Sequence, residues 1–329
     1  MTMKPAVIGF DTSNYRTSAA AVTPEGDILF SYRELLKVAP GERGLRQNDA
    51  VFAHLKQITG AAGLIRERLR DYEVVAIAVS SRPRDNRESY MPVFQVGVAL
   101  GTVMAAAFDV PLYQTSHQRG HLEAAAWGTP LQEAAHYLAL HLSGGTTDLL
   151  RVDENGIETL GSSLDLHAGQ LVDRAGVALG LPFPSGEKLE ELARAGESAG
   201  RLGCSMENGD LSCHLSGAES QVQRWIRDES LPREDIAREI YDLLARTVAR
   251  MTAAGIRKTG EKTVLVTGGI ASSALFGEML GARCGKTVRG CRLVFGKPEM
   301  SGDNACGTAL AGMKAWKKTA TENAGGTDK

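Results

Sequence analysis

A strand-turn-strand plan that occurs twice constrains the fold of this chain more than any other feature. Ala6-Val7-Ile8-Gly9-Phe10 reads as a buried strand, stops at the polar turn Asp11-Thr12-Ser13-Asn14, and gives way to the apolar run 18–22. Tyr137-Leu138-Ala139-Leu140-His141-Leu142 is a second such strand. Ser143-Gly144-Gly145-Thr146-Thr147-Asp148 is its turn, and residues 149–152 complete the hairpin. Apolar runs of this length bounded by turn chemistry are strand signals. Two such units at the starts of successive halves point to a duplicated domain, and 329 residues suffice for two.

Between these units, residues 48–70 carry apolar positions at helical period and residues 74–79 form a strand. Residues 80–92 hold several charges and two prolines and read as an exposed loop. Residues 93–108 are small and apolar, as in a helix packed on a sheet. In the second half, helices are expected at 169–181, 189–202, 221–227 and 236–256, with 204–217 irregular. Strands follow at 264–267 and 293–295, and a closing helix at 305–317 leads into a frayed polar tail.

Composition narrows the function classes. Apolar residues make up 43% and charged residues 23%, so the chain is of ordinary globular type. A net charge of -2 offers no global attraction for nucleic acid, so any RNA contact needs a local basic patch or a partner protein. Five cysteines without a Cys-x-x-Cys pair suit free thiols in a reducing compartment. No uncharged apolar run approaches the roughly 18 residues of a membrane span. With no signal-peptide pattern either, a soluble, cytoplasmic protein with no membrane contact is expected.

Three stretches carry candidate chemistry. His117 and His121 stand four residues apart ahead of the helix-favouring run Ala124-Ala125-Ala126, so both imidazoles can share one helix face and one divalent metal. Seven histidines in the chain also allow a chance pair. The Ser143-Gly144-Gly145 turn lets backbone and hydroxyl donors approach a phosphate, although hairpins use the same residues for their own geometry. Gly268-Gly269-Ile270-Ala271 follows a strand and precedes a helix, a place suited to a nucleotide's sugar and phosphate or simply to a structural turn. Asp11, at a strand end, is open to a site role or to ordinary turn capping.

These stretches, in order, resemble the TsaD or glycoprotease-like family, whose characterised members are tRNA adenosine threonylcarbamoyltransferases. His117-Gln118-Arg119-Gly120-His121 matches its His-x-x-Gly-His motif and Leu142-Ser143-Gly144-Gly145 its phosphate turn. Gly169 with Asp173, then Pro184-Ser185-Gly186, match a substrate-contacting helix and loop. Ser216-Gly217-Ala218 is similar to a Ser-Gly-Leu element, Gly268-Gly269-Ile270-Ala271 to a nucleoside turn, and Asp303-Asn304-Ala305 to the element supplying a third metal ligand.

The resemblance implies an α/β, actin-like ATPase (sugar kinase/actin) fold: two lobes of mixed sheet flanked by helices with a cleft between. The expected lobes are 1–115 and 116–329, the second with a helical insertion around 165–260 and a C-terminal helix returning to the cleft. It further implies one iron or zinc ion on His117, His121 and Asp303. An adenine nucleotide, as threonylcarbamoyl-AMP or ATP, would lie on Leu142, Ser143, Gly144, Gly145, Asp173, Gly186, Gly268, Gly269 and Ser273. The implied activity is threonylcarbamoyl transfer to the adenosine beside the anticodon of tRNA. The implied partners are tRNA, a paralogous actin-like subunit and a small ATPase in a multi-subunit complex.

Departures from the family pattern fit a second reading, a diverged paralogue with another substrate or a scaffold role, as well as they fit a transferase. Thr146 replaces a histidine, Ser273 an asparagine and Glu219 a lysine. Residues 81–92 replace a glycine-rich loop, and Thr12-Ser13-Asn14-Tyr15-Arg16 stands where Thr-Ser-Cys-Asp-Glu is usual. A metallopeptidase reading is disfavoured because Gln118 occupies the place of that class's general-base glutamate.

Overall fold

A computed structural model describes residues 3–13, 16–37, 45–86, 88–154, 156–300, 302 and 305–325. In chain order the main elements are β1 (Lys4–Thr12), β2 (Arg16–Val22), β3 (Ile28–Leu35), α1 (Gln47–Gln57), α2 (Ala61–Arg68), β4 (Tyr72–Arg82), α3 (Phe94–Phe108), β5 (Leu112–Ser116) and α4 (His117–Ala126). They continue with β6 (Tyr137–Leu142), β7 (Thr147–Asp153), β8 (Gly156–Ser162), α5 (Ala168–Ala178), α6 (Gly186–Ala195), β9 (Ser205–Glu207), β10 (Ser212–His214) and α7 (Ser216–Arg227). The last are α8 (Arg233–Thr259), β11 (Thr263–Thr267), α9 (Ala274–Thr287), β12 (Arg292–Phe295) and α10 (Ala305–Gly325).

Two five-stranded sheets share one plan. The first runs β3-β2-β1-β4-β5 and the second β12-β11-β6-β7-β8. In each, the leading strand lies at the centre, pairs antiparallel with its own hairpin partner, and pairs parallel with a later strand on its other edge. The duplication read from residues 8–22 and 137–152 is therefore a duplication of whole sheets.

The continuous apolar runs have a simple cause: both faces of the first sheet are covered. Ala6, Ile8 and Phe10 pack with Ile77 and Val79 into one core, while Val7, Ala76 and Ala78 meet Ala309, Leu310 and Met313 of α10 on the other face. Each fully buried large side chain contributes about 1.5–3 kcal/mol. Gly9 has no side chain because α10 lies on it: a Cβ there would sit 2.6 Å from the Ala309 nitrogen.

The chain separates into two compact units, Met1–Trp127 with Gly302–Lys329, and Gly128–Ser301. The histidine helix α4 and the closing helix α10 thus group with the first sheet, whereas the sequence reading put both in the second lobe, starting at 116. The cause is α4–α10 packing, close enough that a Cβ on Gly307 would overlap the Gly120 carbonyl oxygen.

Several local expectations are corrected. The helix expected over 48–70 breaks into α1 and α2 at a short 3-10 turn, Ile58–Gly60, where the Tyr32 ring occupies the space of a Gly60 side chain. Strands β5, β8, β9 and β10 were not expected. The helix expected over 189–202 ends at Ala195 because other partners claim the following backbone: Asp235 accepts from Glu197 N–H, and the buried Glu239 carboxylate accepts from Ala199 and Leu202 N–H. Helix α7 begins at Ser216 rather than 221, and α10 runs to Gly325, through much of the expected tail.

Candidate functional site

In the first unit, β5 ends at Ser116, whose hydroxyl accepts from Arg119 N–H at 3.0 Å and caps α4. That cap fixes the helix start at His117 and sets His117 and His121 one turn apart. Their rings meet edge to face, 4.4 Å between centroids, with the two Nε2 atoms 3.0 Å apart. On its other side, His117 Nδ1 lies 2.7 Å from Oδ2 of Asp11, a carboxylate only 1% exposed at the end of β1. A carboxylate there holds the ring proton on Nδ1 and turns the Nε2 lone pair toward His121, the relation seen behind metal-bound imidazoles.

This donor set fits a divalent ion: two imidazole nitrogens converge, and one ring is oriented by a buried acid. Among the described residues no third carboxylate, thiol or imidazole completes a three-ligand cluster. Asp303, the implied third ligand, lies outside the described residues. The peptidase reading weakens further. Gln118 is buried, and the acid on the same helix, Glu123, is held by Lys314 at 2.6 Å and Arg119 at 3.8 Å, which leaves it no freedom as a base.

The charged segment 81–92 is not a free loop. Pro83 O accepts from Gln118 N–H at 3.0 Å, and Asp85 bridges Arg82 at 3.1 Å and Arg119 at 3.4 Å. The segment that departs most from the family pattern is therefore anchored on the histidine motif itself.

In the second unit, the turn after β6 is closed by Ser143 N–H donating to Thr146 O at 2.7 Å. Helix α5 starts directly against it: Gly169 N–H donates to Ser143 O, and a Cβ on Gly169 would lie 2.6 Å from Gly144 N. Beyond the helix, Asp173 accepts from Ser185 N–H at 2.8 Å and fixes the segment 182–186, while Tyr241 donates to Gly186 O at 3.0 Å. These contacts enclose a pocket of about 260 Å³ lined by Ser143, Gly144, Gly169, Val172, Asp173, Pro184, Gly186, Glu187, Gly269 and Ile270.

Of the residues expected to bind nucleotide, Ser143, Gly144, Asp173, Gly186 and Gly269 line this pocket. Leu142 is buried in the core beneath it, and Gly268 packs on the Leu142 backbone with φ 100°. Gly145 stands on the exposed side of the turn, and Ser273 caps α9 by accepting from Phe276 N–H at 3.1 Å. Gly144, Gly186 and Gly269 have neither a left-handed backbone nor any atom within 4 Å of an added Cβ. Neither the chain's conformation nor its own packing asks for glycine at these three positions, and each leaves the pocket edge open. Sequence reasoning missed Val172 and Glu187 as lining residues.

Behind the pocket, Glu190 ties α6 to α9. Burial raises its pKa, but Leu275 N–H, the Ser273 hydroxyl and Arg194 outweigh this and bring it below the ordinary range. The Ser216-Gly217-Ala218 element lies at the start of α7. Asp165 gathers Leu215 N–H, Ser216 N–H and the Ser216 hydroxyl. Burial alone would raise the Asp165 pKa, yet these donors and Leu166 N–H pull it down from 3.8 to about 2. Ser216 is thus committed to a structural carboxylate.

The family pattern described as tRNA N6-adenosine threonylcarbamoyltransferase, TsaD, matches residues 70–310. The chain belongs to the TsaD family. A tRNA N6-adenosine threonylcarbamoyltransferase of Symbiobacterium thermophilum is 26% identical over 325 residues, covering 94% of this chain and 92% of that one. Another, of Polaromonas sp., is 32% identical over 186 residues, 54% of this chain and 53% of the relative. Among solved structures, HypF of T. kodakarensis matches 97% of this chain and 48% of its own at a TM-score of 0.61 and 15% identity. The ROK hexokinase of Thermus thermophilus matches 95% and 99% at 0.55 and 16%. These likenesses speak to the fold, which is the actin-like ATPase and sugar kinase architecture expected for a TsaD-family chain.

Proposed function

We propose that this chain transfers the threonylcarbamoyl group of threonylcarbamoyl-AMP to the adenosine beside the anticodon of tRNA. The observation that carries the reading is the histidine pair, with Nε2 atoms facing each other at 3.0 Å and Asp11 on the far nitrogen of His117. His117, His121 and Asp303 would hold one iron or zinc ion, which when bound supplies Lewis-acid stabilisation to phosphate or carbamate oxygens. Asp11 keeps the His117 ring fixed and its Nε2 free of the proton. In the second unit, the glycine-edged pocket suits the sugar and phosphate of an adenine nucleotide. The Gly144 N–H at the pocket edge can donate to a phosphate, and Asp173 keeps the 182–186 wall in place. In the reaction the adenosine N6 amine forms a bond to the carbamoyl carbon, the bond from that carbon to the AMP phosphate oxygen breaks, and the amine loses a proton as AMP departs. tRNA would be engaged in a multi-subunit complex with a paralogous actin-like subunit and a small ATPase, in the cytoplasm.

The test is restoration of the modified nucleoside. Cells depleted of their own transferase and supplied with this chain should regain threonylcarbamoyladenosine in tRNA, read by nucleoside mass spectrometry.

A second reading, a diverged paralogue with another substrate or a scaffold role, is favoured by the segment 81–92, which Asp85 locks onto Arg119 inside the histidine motif. It predicts no modified nucleoside in the same cells while the purified protein still binds adenine nucleotide.

A further inference from the structure

A second recess in the Gly128–Ser301 unit is distinct from the glycine-edged pocket and differs from it in charge. It is a hollow of about 550 Å³ beside α8 and α9, floored by residues 203–204, and its charged lining residues are Arg246, Arg250, Arg283 and Lys286. No acidic side chain lines it, in a chain whose net charge is -2. Asp242, 7% exposed, lies outside the lining and holds two of the cations from behind: its carboxylate takes Arg246 Nε at 2.8 Å and pairs with Arg283. Arg246 also donates to Leu202 O at 2.6 Å.

These bonds fix both guanidiniums while occupying part of each donor fork, so the remaining N–H groups are pre-oriented rather than free-swinging. Arg250 meets only the surface carboxylate of Asp210, and Lys286 has no ionic partner among the described residues. A helix clamp alone would need Asp242 and its two arginines. It gives no reason for two further exposed cations, one on each helix, around the same hollow.

We infer that this hollow is an RNA-backbone site in which Arg246, Arg250, Arg283 and Lys286 take phosphates of the tRNA. The choice of RNA rests on the transferase reading. The preference for phosphate rests on the fork geometry and the absence of acidic lining. It supplies the local basic patch that an acidic chain needs to hold RNA. Phosphate contacts position without reading sequence, so the site gives affinity and orientation and leaves recognition of the adenosine to the reaction site.

The test is direct binding of an unmodified tRNA transcript to the full chain, by fluorescence anisotropy across about 50–200 mM salt. Wild type is compared with an Arg250→Ala, Lys286→Ala double variant, which leaves the Asp242 clamp intact. ATP binding, measured in parallel, reports that the variant is folded. Two lost phosphate contacts should weaken binding about tenfold or more and reduce the salt slope by about 2, with ATP binding unchanged. Equal RNA binding by both proteins, or none by wild type, overturns the site. So does binding of inorganic pyrophosphate that depends on Arg250 and Lys286 while RNA binding does not. A variant that loses RNA binding, when neither protein transfers threonylcarbamoyl, leaves the site standing and removes the transferase reading. Transfer unaffected by both substitutions does the reverse.

Discussion

Asp11 is the residue on which the histidine pair depends. Two imidazoles one helical turn apart can equally share a proton or share a metal, and the tautomer of His117 decides which. With the carboxylate 2.7 Å from Nδ1 and almost wholly buried, the proton stays on that nitrogen and Nε2 keeps its lone pair for an ion. An amide can present its NH2 to Nδ1 instead and move the proton to Nε2. Asp11→Asn should therefore lower zinc or iron affinity about 10–100-fold with little change in fold. Calorimetric metal titration of the two proteins checks this, and equal affinities would remove the orienting role. Asp11 was visible in the sequence only as an acid at a strand end. Its partner lies 106 residues away, and the link appears only when β1 and α4 are placed in one unit.

At the scale of elements, the start of α7 carries its own pH dependence. Asp165 satisfies the donors of Leu215 and Ser216, and its pKa falls from 3.8 to about 2 in the fold. A carboxylate depressed by folding stabilises above its unfolded pKa, and that stability is lost as pH falls through the folded value. Thermal unfolding midpoints should therefore drop more steeply between about pH 4 and pH 2 in the wild type than in Asp165→Asn. At neutral pH the variant should be less stable, by a margin that solvent screening at this exposed position keeps small. Parallel curves for the two proteins would contradict the assignment.

The same scale shows what a sequence can and cannot carry. Strands β1, β4, β6 and β11 are legible because their central residues are buried on both sides and read as unbroken apolar runs. Strand β5 is not, since Leu112-Tyr113-Gln114-Thr115-Ser116 is short, mixed and at a sheet edge. The stop of α6 at Ala195 is invisible for another reason: it is imposed by Glu239, 44 residues later, which claims the backbone donors that the helix would have used. At the pocket, the glycines were legible as a pattern. Ser273 was not legible as a helix cap, because a serine after two glycines suits either a ligand or a helix start.

Over the whole molecule, two copies of one sheet plan carry different equipment. The first unit holds the imidazoles, with the family's most altered segment fastened to them by Asp85. The second holds the glycine-edged pocket and, on other helices, the cationic hollow. The proposed role of the histidines in threonylcarbamoyl transfer is tested by measuring transfer from threonylcarbamoyl-AMP to unmodified tRNA in the presence of the partner subunits. Wild type should form threonylcarbamoyladenosine, and His117→Ala should form none while still binding adenine nucleotide. Product at the wild-type rate from His117→Ala, or no product from a wild type that binds both metal and nucleotide, would rule out that role.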